Sequence, residues 1–76
     1  MVATLQPELG KRLAVERARH GLTQEQVASL VGVQVLAVKR WEGGRDAPSS
    51  RRLLRLAAVL GVSVEALTSQ EPPDAA

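Results

Sequence analysis

The amino-acid sequence predicts an all-α, compact domain of five short helices. Apolar residues recur three and four positions apart between helix-start and helix-stop residues, and no stretch alternates apolar with polar residues as a strand does. The length of 76 residues leaves room for one domain and little else. A chain this short is stable only if its helices pack efficiently. Its centre is the stretch Thr23 to Glu42, TQEQVASLVGVQVLAVKRWE, which predicts a helix, a tight turn and a second helix.

Residues 1–6 are expected to form a flexible leader, and residues 7–68 the domain. Pro7 suits the first turn of a helix, where its missing N–H would be unpaired anyway. Helix 1 is expected from Pro7 to His20, with Leu9 and Leu13 on a stripe that Arg17 continues, and with Lys11, Arg12 and Arg19 facing outward. Gly21 ends it. Thr23 and Gln26 are spaced to cap a helix start reciprocally, ahead of Val27, Leu30 and Val31. Gly32 stops that helix, at Val31.

The next helix runs from Val35 to Glu42. Val33 in the turn before it, and Val38 and Trp41 within it, are core positions. Trp41 is the only aromatic residue, and its burial removes roughly 150–250 Å² from water. It is expected to anchor helix 3 on helices 1 and 4. Gly43-Gly44 breaks the helix, and Arg45 to Pro48 form a loop. Ser49 is a preferred N-cap for helix 4, whose Leu53, Leu56, Ala57 and Leu60 face the core until Gly61. Ser63 can cap a short fifth helix through Thr68, with Leu67 turned inward. Residues 69–76, containing Pro72-Pro73, are expected to be a disordered tail.

Several function classes fall away. There is no Cys and only one His, His20, so no metal site is expected. No apolar run approaches the ~20 residues needed to span a bilayer, so no membrane association is expected and a cytoplasmic protein is the default. No nucleophile, base and orienting group stand in a pattern for catalysis, so an enzyme is not expected, nor a cofactor or small-molecule ligand. Net charge is only +2, but its distribution is uneven. Lys11, Arg12, Arg17, Arg19, Lys39, Arg40 and Arg45 precede Pro48, and Arg51, Arg52 and Arg55 follow closely, whereas Val64 to Ala76 carries acids alone. That permits a basic working face.

Gly21-Leu22-Thr23-Gln24-Glu25-Gln26-Val27-Ala28, Gly32-Val33, Val38, Trp41-Glu42, Gly44, Pro48, Leu56-Ala57 and Leu60-Gly61-Val62-Ser63 resemble the Cro/cI-type helix-turn-helix family, lambda-repressor-like in fold. The resemblance spans Leu9 to Leu67. It implies a sequence-specific DNA-binding transcriptional regulator, of repressor type, acting as a homodimer on double-stranded DNA. At the family's base-reading positions stand Gln34, Val35, Leu36, Lys39 and Arg40, and at its phosphate positions Arg17, Thr23, Gln24, Arg45, Arg51 and Arg52. Glu42 is implied to hold Arg17, and Leu54, Val59 and Val64 to supply a self-association surface.

Gln34 can pair with adenine, and Lys39 or Arg40 with guanine. Val35 and Leu36 depart from the polar residues usual there. They either contact thymine methyl groups or form an apolar patch for a protein partner, as in an antitoxin-type module.

Overall fold

The computed structural model describes residues 7–68 and contains five helices: α1 (Pro7–Arg19), α2 (Gln24–Val31), α3 (Val35–Glu42), α4 (Ser50–Leu60) and α5 (Val64–Thr68). The leader expected over residues 1–6 and the tail expected over 69–76 lie outside the described residues. Helix α1 stops one residue early. The His20 N–H is shared between the carbonyls of Glu16 and Arg17, and the Leu22 N–H returns to Arg17 O at 3.1 Å, closing a turn through Gly21.

The capping residues act as their spacing predicts. Thr23 Oγ1 accepts from the Gln26 N–H at 3.0 Å while Gln26 Oε1 accepts from the Thr23 N–H at 2.8 Å. Such a box satisfies two of the donors that every helix start leaves open. At the other end of α2, Gly32 takes φ +87°, the left-handed conformation that lets its own N–H and that of Val33 both reach Ala28 O. Ser49 Oγ accepts from the Arg52 N–H at the start of α4, and Ser63 Oγ from the Ala66 N–H at the start of α5.

One core joins all five helices: Leu9, Leu13, Val27, Ala28, Val31, Val38, Trp41, Leu56, Ala57, Leu60 and Leu67 are buried. Val38, Leu56, Leu60 and Leu67 are closed off almost completely. Each large aliphatic side chain so buried contributes roughly 1.5–3 kcal/mol. Val33 and Leu53, expected in the core, are half-buried against it, and Leu30 is exposed instead.

The expected seat of helix 3 on helix 1 is observed, while its second main neighbour is α2 and not helix 4. Helix α3 packs against α1 and α2, while α4 packs against α2 and α5. The short turn Gly32 to Gln34 keeps α2 and α3 adjacent, and the longer loop from Gly43 to Ser49 carries α4 to a different face of α2. Arg12 also departs from the outward position expected of it. Its Nη1 lies 3.5 Å from Ala66 O, and its Nε and Nη2 are shielded from solvent without a partner among the described residues.

Gly10 fixes how closely α1 meets α3. It is buried, and a Cβ built on it would lie 2.6 Å from the Glu42 carbonyl oxygen and closer still to that of Trp41. Only a residue without a side chain allows this approach.

Candidate nucleic-acid interface

The geometry of α3 starts from its burial pattern. Val38 and Trp41 face the core, which rotates Leu36, Lys39 and Arg40 to the solvent side. At about 100° per residue, Lys39 lies about 60° to one side of Leu36 and Arg40 about 40° to the other. Leu36 is 55% exposed and thus sits between two exposed cations. Gln34 is the N-cap residue, but its side chain makes no cap hydrogen bond and is exposed.

Val35 does not join them. It is half-buried and packs against the core, so the apolar pair of the sequence is split into one supporting residue and one exposed one. The reason is angular: adjacent helical residues diverge by about 100°, and Val35 turns toward the face that Val38 occupies.

Glu42 ties three helices together at the other end of α3. Its carboxylate accepts from Arg17 Nε at 2.6 Å, Arg17 Nη2 at 3.0 Å and Gln24 Nε2 at 3.0 Å. Arg17 Nη1 also donates to Leu22 O at 2.9 Å. The planar guanidinium is therefore clamped edge-on to the carboxylate, the geometry that orients an arginine best. The hydrogen bond to Glu42 raises the Arg17 pKa above its ordinary value, outweighing the opposing effect of burial. Three of the five guanidinium N–H donors are used within the fold, and two remain. Gln24 keeps its amide oxygen and one amide N–H free.

The sequence places Arg17, Thr23 and Gln24 in a common role, and the structure brings them to one place, the N-terminal end of α2. The capping box uses the N–H groups of Thr23 and Gln26 and leaves those of Gln24 and Glu25. These N–H groups and the helix dipole favour an anion. The exposed Glu25 carboxylate opposes it.

The opposite end of α2 is also basic. Arg51, Arg52 and Arg55 line an open depression with Val31, directly before the turn that leads to Gln34. No acid stands in the first turn of α4, so nothing there neutralises these charges. Arg55, counted in the basic face but not among the implied phosphate positions, joins Arg51 and Arg52 here. Its signal was available, since it lies three and four positions after Arg52 and Arg51 and so shares their helix face. Arg45 lies in the loop after α3, exposed, its N–H bonded to Arg40 O at 3.0 Å.

The eight residues of α2 span about 12 Å, and the arginines near its C-terminal end belong to the first turns of α4. Of the residues implied to support self-association, Leu54 is exposed, whereas Val59 and Val64 are packed against the core. No described helix is long and apolar enough to cross a membrane. Among the described residues, no group of three His, Cys, Asp or Glu could hold a metal ion.

Comparison with known proteins agrees with this fold. A family model described as helix-turn-helix matches residues 13–67. The structure is similar to the restriction-modification controller protein C.AhdI from Aeromonas hydrophila, with a TM-score of 0.76 and 33% identity over 80% of this chain and 92% of that one. It is also similar to the P22 c2 repressor solved in complex with a synthetic operator, with a TM-score of 0.80 and 26% identity over 87% of this chain and 100% of that one. In sequence it is 28% identical over 67 residues to the cryptic phage CTXphi transcriptional repressor RstR of Vibrio cholerae, covering 88% of this chain and 60% of that repressor's length.

Proposed function

The chain belongs to the helix-turn-helix family of Cro/cI type, and from that membership we propose that it is a sequence-specific DNA-binding regulator of repressor type. Helix α3 enters the major groove by its N-terminal end. Gln34, Leu36, Lys39 and Arg40 face base edges, and Val35 supports Leu36 from the core side. The observation that carries this reading is the exposed face of α3 with Leu36, Lys39 and Arg40, together with two anion-favouring places, the N-terminal end of α2 and the arginines of α4. In this reading the two places hold phosphates while α3 enters the groove.

The phosphate contacts then divide by location. Thr23 and Gln24, with the two spare N–H groups of Arg17, serve one strand. Arg51, Arg52 and Arg55 serve the other, with Arg45 beside them. These contacts supply affinity and register without sequence information. Glu42 touches no DNA, and its part is to hold Gln24 and Arg17 in place. The solved relatives include a repressor on its operator, and one curated relative is a transcriptional repressor, which supports DNA binding as the activity. Occupancy of an operator is then the whole mechanism.

A single domain this small contacts few base pairs, so the functional unit is a homodimer reading two half-sites about 34 Å apart. Of Leu54, Val59 and Val64, Leu54 is the exposed one and the candidate for self-association. The test is selection from a random DNA pool, followed by titration at low and high salt. Enrichment of a near-palindrome with half-sites one helical turn apart is the expected result. Weak binding that is uniform across sequences and vanishes with salt would refute specificity. In that case the Leu36 face belongs to a protein partner, the antitoxin-type alternative.

A further inference from the structure

We infer that Arg12 is the seat of an acidic residue from the segment that follows α5, with Glu71 as the carboxylate that reaches it. Neither residue belongs to the set assigned to DNA. Arg12 is half-buried on α1 where α5 crosses it. Its Nη1 lies 3.5 Å from Ala66 O, a long contact for an N–H donor, while Nε and Nη2 are shielded from solvent without a partner among the described residues. Three N–H donors of a permanent cation are thereby withdrawn from water. That is costly unless an anion meets them, and a carboxylate fills such a fork with two parallel hydrogen bonds.

The described acids are engaged elsewhere or turned away. Glu42 accepts from Arg17 and Gln24, and Glu16 from Arg19. Glu8 and Glu65 are exposed, and no described carboxylate bonds to Arg12. The guanidinium reaches across to α5 and not along α1 to Glu8, one turn earlier.

The segment after α5 has the missing charge within reach. Ala66 is two residues from the end of α5, so the chain leaves that helix beside Arg12. Residues 69–76 contain Glu71 and Asp74 and no basic residue. Glu71 stands three residues past Thr68, a stretch that spans about 10 Å when extended, and Pro72 after it favours that backbone. Asp74 lies further on, beyond two prolines. A contact from Glu71 closes only a short loop, so its entropic cost is small. It pins α5, whose one buried residue is Leu67, against α1.

The experiment uses the intact chain at low salt. Glu71→Gln keeps the shape and removes the charge, and it should raise the unfolding equilibrium constant about tenfold, the worth of a hydrogen bond to a charged group. In an Arg12→Met background the same exchange should have no effect. The Arg12 Nε–H proton, followed by nuclear magnetic resonance, should exchange slowly with water in the parent and faster in Glu71→Gln. That second reading stands even where Arg12→Met fails to fold. Asp74→Asn and Glu8→Gln should leave both readings unchanged. A loss that follows Asp74→Asn or Glu8→Gln instead, or an Nε–H signal indifferent to Glu71→Gln, overturns the inference. So does protection that grows with protein concentration, which would place the carboxylate on a second copy of the chain.

Discussion

Replacing Gly10 with Ala should destabilise this protein, against the usual rule for a helix interior. In an exposed helix the exchange gains about 1 kcal/mol, because Ala restricts the unfolded chain and shields the backbone. Here the added methyl would lie 2.6 Å from Glu42 O and closer to Trp41 O. Ordinary carbon–oxygen contact is about 3.3 Å, so the overlap with the Glu42 oxygen is roughly 0.7 Å. Both oxygens are backbone atoms at the C-terminal end of α3 and cannot rotate away. Relief requires α1 and α3 to separate, which loosens Trp41, the buried anchor of α3.

Overpacking of this kind costs about 1–3 kcal/mol, and a clash with two fixed atoms belongs at the upper end. After the helix-propensity gain the net loss is about 2 kcal/mol. For a domain of this size that lowers Tm by about 8–16 °C. Thermal and urea unfolding followed by circular dichroism measure it, with Lys11→Ala on the exposed side of α1 as the control. A Gly10→Ala protein as stable as the parent, or more stable, would refute the close approach of α1 to α3.

Glu42→Gln keeps the shape but breaks the charge pair with Arg17, whose side chains are 9% and 21% exposed respectively. The loss in urea unfolding should be about 2 kcal/mol, between the small value of an exposed pair and the 3–5 kcal/mol of a fully buried one. Because the Arg17 pKa is raised, the contribution of Arg17 is fully present below its unfolded value and is lost only as pH rises through the higher folded value. Stability measured from neutral pH to about pH 10 should therefore show no loss from this group. Thr23→Ala removes one half of the capping box and should cost about 1 kcal/mol by denaturant titration, with little loss if the box is unimportant. Arg51→Ala, Arg52→Ala and Arg55→Ala each remove one contact per subunit, so in the homodimer each should lower the slope of log affinity against log salt by about 2, without changing the selected sequence. A slope unchanged in all three would remove α4 from the interface.

Much of the scaffold was legible because its signals are local. Thr23 with Gln26, Ser49 and Ser63 act within one turn, and their hydrogen bonds follow from residue type and spacing alone. Periodicity likewise found Leu9, Leu13, Val27, Val31, Leu56, Leu60 and Leu67. What escaped depends on contacts between distant segments. Gly10 looks like a minor flaw in α1 until α3 lies against it. Arg12 is an ordinary outward charge until α5 crosses it. In the site, the joining of Gln24, Arg17 and Glu42 was only partly visible. The resemblance supplied the ion pair, while the bond from Gln24 to Glu42 emerged from the packing of α2 on α3. Val35 and Leu36 are chemically alike and adjacent, so only the rotation of α3 set by Val38 and Trp41 separates them.

That rotation also makes stability and recognition experimentally separable. Gly10 and Glu42 act on how α3 is held, so damage there should lower stability and DNA affinity together, for every sequence alike. Leu36 and Arg40 are exposed and hold nothing in the core, so their loss should change which sequence is bound while the melting curve stays in place. Gln24 tests the boundary between these groups. Its amide is bonded to Glu42 at 3.0 Å yet stands at the N-terminal end of α2, the end proposed to meet a phosphate. If the bond exists to aim Gln24, then Gln24→Ala should cost affinity with little stability, and adding it to Glu42→Gln should cost less than the two effects summed. Strict additivity of the two in DNA affinity would mean that Glu42 does not position Gln24, and that the carboxylate serves Arg17 alone.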